Sequence, residues 1–269
     1  MSVSLEIRDG NPWYLSPDIW TVPDDPNGSP GMPVAGNPCY LFARVTNNGS
    51  SAVQDATVRF YWANPAAGFD RTTANAIGQS NVSLAPGASE DVLCLTPWIP
   101  TFLNSGHECV LAEAFHSSVD PLPVSPAFNV PTDRHVAQRN LSVLLAAKKM
   151  FKLVFEIHNP GRMEAVFDIH VQKGKLDELK NLSAHLGPNF KKDMKEGDLK
   201  TWGFVDSVCP SPEEISKGKK ELLQLKVKPW SRITKCLVGE VSPGATLIHV
   251  EQKKNERVNG GLAAFVISD

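Results

Sequence analysis

Lysine is missing from the first 139 residues of this 269-residue chain. That stretch carries six Arg against thirteen Asp and Glu, a net charge of −7. Residues 140–269 hold the other 21 basic residues against 16 acidic ones, a net charge of +5, and the two parts sum to −2. A molecule-wide positive field for nucleic acid is thereby excluded. So sharp a change predicts two domains, 1–139 and 140–269, whose opposite charges suit them to dock or to steer a partner. No run of 18 apolar residues occurs, so no segment reads as a membrane-spanning helix. The N-terminus MSVSLEIRDGNPWYLSPDIW lacks the basic flank and apolar stretch of a secretory leader. A cytoplasmic location is expected from this, with leaderless export or release as the other route. Five cysteines (Cys39, Cys94, Cys109, Cys209 and Cys236) are too few and too scattered for a disulfide framework, and free thiols are expected. GxSxG, GxxxxGK, GxGxxG, HExxH and CxxC are all absent, which removes the usual signatures of hydrolase, phosphate and zinc chemistry.

What is present is alternation. In PCYLFARVTNNGSSAVQDATVRFYWA (Pro38 to Ala63), Leu41, Ala43 and Val45 alternate with Phe42 and Arg44, the period of a half-buried strand. TNNGSS then turns the chain, and Val58, Phe60 and Trp62 point opposite to Thr57, Arg59 and Tyr61. Two such strands need a second sheet to cover them. Val3, Leu5 and Ile7 predict a short strand before them. The Pro- and Gly-dense stretch Pro23 to Pro38 reads as loop. ANPAAGFDRTTANAIG reads as an irregular connection, Ala85-Pro86-Gly87-Ala88 as a turn, and His107 to Phe115 as a strand with Val110, Ala112 and Ala114 on one face.

The second half repeats the pattern at Leu141–Leu145, Leu153–Ile157, Val166–Val171, Leu223–Val227 and Ile233–Val241. A last pair, Thr246–Gln252 and Leu262–Ile267, is expected to turn at Asn259-Gly260-Gly261. Lys175 to Leu186 could form a helical turn or two. Roughly seven short strands per half, with turns every 8–12 residues, predict an all-β chain of two tandem immunoglobulin-like antiparallel β-sandwiches.

The stretch ARVTNNGSSAVQDATVRFYW, the later SLAPGAS turn and the strand CVLAEAF resemble the bacterial CARDB-type (cell-adhesion-related) immunoglobulin-like domains over about residues 15–131. The resemblance implies adhesion or scaffolding, usually in exported proteins. The second half looks like a generic immunoglobulin or fibronectin-like module.

Several groups invite a functional reading and a plainer one beside it. Cys39, Trp62 and Cys109 fall in the order of an immunoglobulin core, but strand parity turns Cys109 away from Cys39, so two buried thiols are expected rather than a bridge. His107, Cys109 and His116 do not share one strand face, which speaks against zinc. Asp24, Asp25, Asn27 and Gly28 suit a turn better than a Ca²⁺ loop. Nothing marks a cleft between Glu113 and Asp120. The lysines at 191–192, 195, 217, 219–220 and 253–254 read as a solvated face.

The expectation is a non-enzymatic structural or protein-interaction module that needs no cofactor or metal. It presents sandwich loops and edges to a protein partner, with Trp13, Trp20 and Trp98 as an exposed or interdomain apolar patch. One alternative is a carbohydrate-binding module stacking sugars on those tryptophans. The other is an enzyme with a non-standard site built from His107, Glu113 and His135.

Overall fold

The computed structural model describes residues 2–63, 66–67, 70–72, 74–101, 109–159, 161–187, 194–206 and 212–269. In the first half lie β1 (Leu5–Glu6), β2 (Ile19–Pro23), β3 (Cys39–Asn47), β4 (Val53–Ala63), β5 (Ala66–Ala67), β6 (Asn75–Leu84), β7 (Ser89–Leu93), β8 (Cys109–Phe115) and β9 (Val136–Arg139). β1 and β2 follow one another along one edge of β3, and β7 pairs with its other edge. This sheet stacks on a second in the order β6-β4-β8-β9. The expected alternation sets the packing: Leu41, Ala43 and Val45 meet Val58, Phe60, Val110, Ala112 and Ala114 in one buried core. Each large apolar side chain so covered contributes roughly 1.5–3 kcal/mol. Asn47 ties the TNNGSS turn, its Oδ1 accepting from Gly49 N at 3.0 Å and its Nδ2 donating to Ser51 O at 2.8 Å. Gly87, at φ 74°, supplies the left-handed position of the Ala85–Ala88 turn.

The second half contains β10 (Leu141–Leu145), β11 (Met150–Asn159), β12 (Ala165–Lys173), β13 (Leu199–Val205), α1 (Pro212–Ser216), β14 (Leu222–Val227), β15 (Ser231–Val241), β16 (Gly244–Lys254) and β17 (Arg257–Ser268). A five-stranded sheet, β10-β17-β16-β12-β14, covers β13-β15-β11, with Phe151, Leu153, Phe155 and Ile157 of β11 meeting Ile248, Val250, Leu262 and Ala264. A 3₁₀ helix, Leu176–His185, lies on the outer face of the five-stranded sheet.

β9 ends at Arg139 and β10 begins at Leu141. Asn140 between them is fully buried; its N donates to Tyr14 O, its O accepts from Ala263 N, and its Nδ2 donates to Gly261 O, each at 2.9 Å. A connection of one residue with its backbone N and O and its side-chain Nδ2 all bonded leaves no free hinge. Tyr14 and Leu15 of the first half, Leu179, Leu182 and Leu186 of the 3₁₀ segment, and Leu247 and Phe265 of the five-stranded sheet form a third core that spans both halves.

Four local expectations differ from the structure. The final hairpin turns at Asn255-Glu256, both at positive φ (51° and 64°), not at Asn259-Gly260-Gly261. Gln252 pairs with Gly260 and Lys253 with Val258, so Asn259 is the extra residue of a bulge. Gly261 is there because a Cβ would lie 2.3 Å from Tyr14 Cε1. Leu223, expected inward, is 59% exposed: a bulge at Gln224 (φ 55°) hands its inward place to Leu222. The connection after Trp62 contains β5 and the start of β6. Finally, β10 with β17 and β5 with β11 are parallel pairs in otherwise antiparallel sheets.

Candidate functional site

The loop tryptophans are placed inside. Trp98 is 4% exposed in the first core, its backbone exchanging hydrogen bonds with Cys39 at 2.7 and 2.8 Å. Trp20 is 7% exposed and lies between Phe42 (centroids 5.5 Å apart) and His185 (4.7 Å). Trp13 is half-buried, edge-on to Tyr14 at 5.4 Å. Of the exposed or interdomain patch expected, exposure does not hold for Trp20 or Trp98, and Trp20 stands between the halves, stacked on His185 of the 3₁₀ helix. Sugar stacking has no flat platform on either ring. Tyr14, which nothing in the sequence sets apart from its aromatic neighbours, is fully buried between the halves.

The joint is polar at its centre. Tyr14 Oη lies 2.9 Å from His249 Nδ1, and His249 Nε2 lies 2.8 Å from Glu178 Oε2. Burial lowers the His249 pKa although Glu178 opposes it. Burial, then Arg139 and Arg44, lower His185 to about 4. Arg139 is itself buried and lowered to about 10, with Nη1 donating to Ile19 O at 2.8 Å.

Two buried polar clusters stand where the sequence offered catalytic groups, and each is held together by ion pairs. Glu113 accepts from Tyr61 Oη and from Arg71 Nε, both at 2.7 Å. His135 Nδ1 meets Asp133 Oδ1 at 2.7 Å and its Nε2 lies 3.2 Å from Asp120 Oδ1. Burial disfavours the His135 cation, but the bonds to Asp133 and Asp120 outweigh it and raise its pKa. Asp120 Oδ2 also accepts from Leu5 N at 2.7 Å, so this cluster pins the first strand. Glu113 and His135 thus bond to different side chains, and His107 lies outside the described residues. His116 Nδ1 accepts from Ser118 N and Val119 N in a turn, while Cys109 is buried on the opposite face of β8 from the main core, beside Leu111 and Phe128. Among the described residues no three His, Cys, Asp or Glu groups converge as metal ligands. Cys39, Cys94 and Cys109 are free and buried, and Cys236 is buried; Cys209 lies outside the described residues. Asp25 Oδ1 accepts from Asn27 N at 2.9 Å, closing the turn read at Asp24–Gly28.

An open cleft lies on the flank of the second half. Between the ends of β13 and β14, a cleft of about 350 Å³ has Phe204, Leu222 and Leu225 as its floor and the exposed Leu223 at its mouth. Lys217, Lys219 and Lys235 alternate around it with Asp206, Glu214 and Glu221. Lys235 is ion-paired with Asp206, and Lys217 with Glu213 at 2.6 Å. α1 and the residues after it are held against β13 by paired Phe204 and Lys219 backbones, at 2.7 and 3.1 Å, and by the close contact of Gly203 with Gly218. An apolar floor inside a charged rim is the anatomy of a protein-binding patch. The sequence signal for it was LLQL in a lysine-rich stretch, and the bulge that turns Leu223 outward gave no signal at all.

No protein-family model matches the chain, and no curated protein does. Among solved structures it is similar to a CARDB domain from Pyrococcus furiosus, at 15% identity over 51% of this chain and 85% of that one, with a TM-score of 0.31. It is also similar to red sea bream transglutaminase, at 8% identity over 100% of this chain and 31% of that one, TM-score 0.26. A bacterial adhesin from Mobiluncus mulieris matches at 8% identity over 93% and 97% of the two chains, TM-score 0.24. At such scores the architecture rests on the sheets themselves.

Proposed function

We propose that the protein is a non-enzymatic interaction module whose two sandwiches act as one rigid support for a protein-binding cleft between β13 and β14. The observation that carries this reading is the exposed Leu223 at the mouth of an apolar cleft ringed by both signs of charge. Scattered exposed leucines are ordinary, but one that a bulge directs beside an apolar hollow is not accounted for by packing. The rim charges give register and on-rate, and the floor gives affinity. The polar clusters support the reading from the other side, since the Glu113 and Asp120 carboxylates are engaged in holding strands.

The test is affinity capture from the source cells with the wild-type chain and with Leu223→Asp, which is expected to fold normally because the residue is exposed. A protein retained by the first and lost from the second supports the cleft. Identical captured sets from two equally folded chains overturn it.

A further inference from the structure

We propose that β6 is a self-association edge, and that two copies of this chain pair antiparallel through it across a two-fold axis. β6 ends its sheet, pairing with β4 on one side, and no backbone group of the described residues pairs with its outer edge. Its sequence, NAIGQSNVSL, runs ten residues with no charge and no proline. An edge of that kind is a template for another strand unless it is guarded.

The other edges are guarded. β7 carries Glu90 and Asp91. β14 carries Lys226 and the Gln224 bulge. β13 carries Lys200, and its Phe204 is paired back to Lys219. Beside β9, Ser16 N donates to Gln138 O at 3.0 Å. β2 ends in Pro23, and its Thr21 O accepts from Gly31 N at 3.0 Å. β10 and β5 are only five and two residues long. On β1, Leu5 N donates to Asp120 Oδ2. Among the described residues the longest edge is thus the bare one, which marks it as an interface.

A second copy is the occupant that suits it. Gln79, Asn81 and Ser83 are exposed and carry both donors and acceptors; with the two-fold axis at Asn81, that side chain meets its own copy and Gln79 meets Ser83 of the second copy. With no charge on the strand, no antiparallel register sets like charges opposite one another. Pairing would join two four-stranded sheets into one continuous sheet through β6 and its mate. The surrounding halves each carry −7, so they repel at long range, and salt screens that repulsion while leaving the ladder intact. Self-association through β6 therefore tightens as salt is added. A basic partner strand would show the opposite dependence.

Sedimentation velocity on the full chain, from low to high micromolar and at low and high salt, tests this. The expected result is a reversible monomer–dimer equilibrium that tightens with salt. Asn81→Lys places like charges across the axis and is expected to weaken the dimer about tenfold or more. Its melting temperature should be unchanged, because the side chain is exposed. Glu90→Lys, on the β7 edge, is the control and should leave the dimer intact. A wild-type chain that stays monomeric throughout overturns the proposal. So does a dimer unmoved by Asn81→Lys, or an association that weakens with salt.

Discussion

Asp9 and His185 show how single buried groups set the pH response. Burial, then Glu6 and Asp133, raise the Asp9 carboxyl to about 7 from 3.8. The folded chain therefore keeps a proton that the unfolded chain has released. The Asp9 contribution is intact below about pH 4 and lost as pH rises through 7. His185 runs the other way. Its pKa falls from 6.5 to about 4, so its contribution is intact above 6.5 and lost as pH falls toward 4. Asp9→Asn is expected to stabilise the chain by about 2 kcal/mol at pH 8 and to do nothing at pH 4, read by urea melts at the two pH values. Gly261→Ala has a different cause and a different size. Its Cβ would enter the Tyr14 ring at 2.3 Å, and the expected loss is about 2–3 kcal/mol by thermal unfolding.

Among the elements, the β16–β17 hairpin is the clearest case of local chemistry yielding to packing. Asn-Gly-Gly is a strong turn signal, yet Gly260 and Gly261 are strand residues and a weaker dipeptide turns the chain. Glu256 holds φ 64° without a glycine's freedom. Glu256→Gly is expected to stabilise the hairpin by about 0.5–1 kcal/mol, seen as a raised melting midpoint with no change in fold. Leu223 teaches the same lesson on β14. Period-two counting runs correctly down to Leu225 and fails where a bulge shifts the register by one residue.

At the scale of the whole molecule, the −7 and +5 halves are joined by one buried residue and a shared core. Tyr14, with its bond to His249 and its seat on Gly261, spans the two. Calorimetry is expected to show one cooperative transition for the intact chain. Tyr14→Ala, which removes a fully buried ring at a cost of about 3–5 kcal/mol, should split it into two. A rigid joint of this kind holds the β13–β14 cleft and the β6 edge at a constant separation, which a flexible linker would not.

Residues 38–63 announced their strands, inward faces and turn unaided, because a half-buried strand must alternate and a turn must use residues that tolerate it. The separation of Cys39 from Cys109 followed from parity in the same way: Cys39 faces the main core and Cys109 does not. Tertiary contact alone decided that Trp20 and Trp98 would be covered, that Tyr14 would bridge the halves, that glycines in a turn-like triplet would make room for it, and that Leu223 would face solvent. Alternation is written within a few residues of chain. The partner that covers a side chain comes from far along it, and composition carries no record of that meeting.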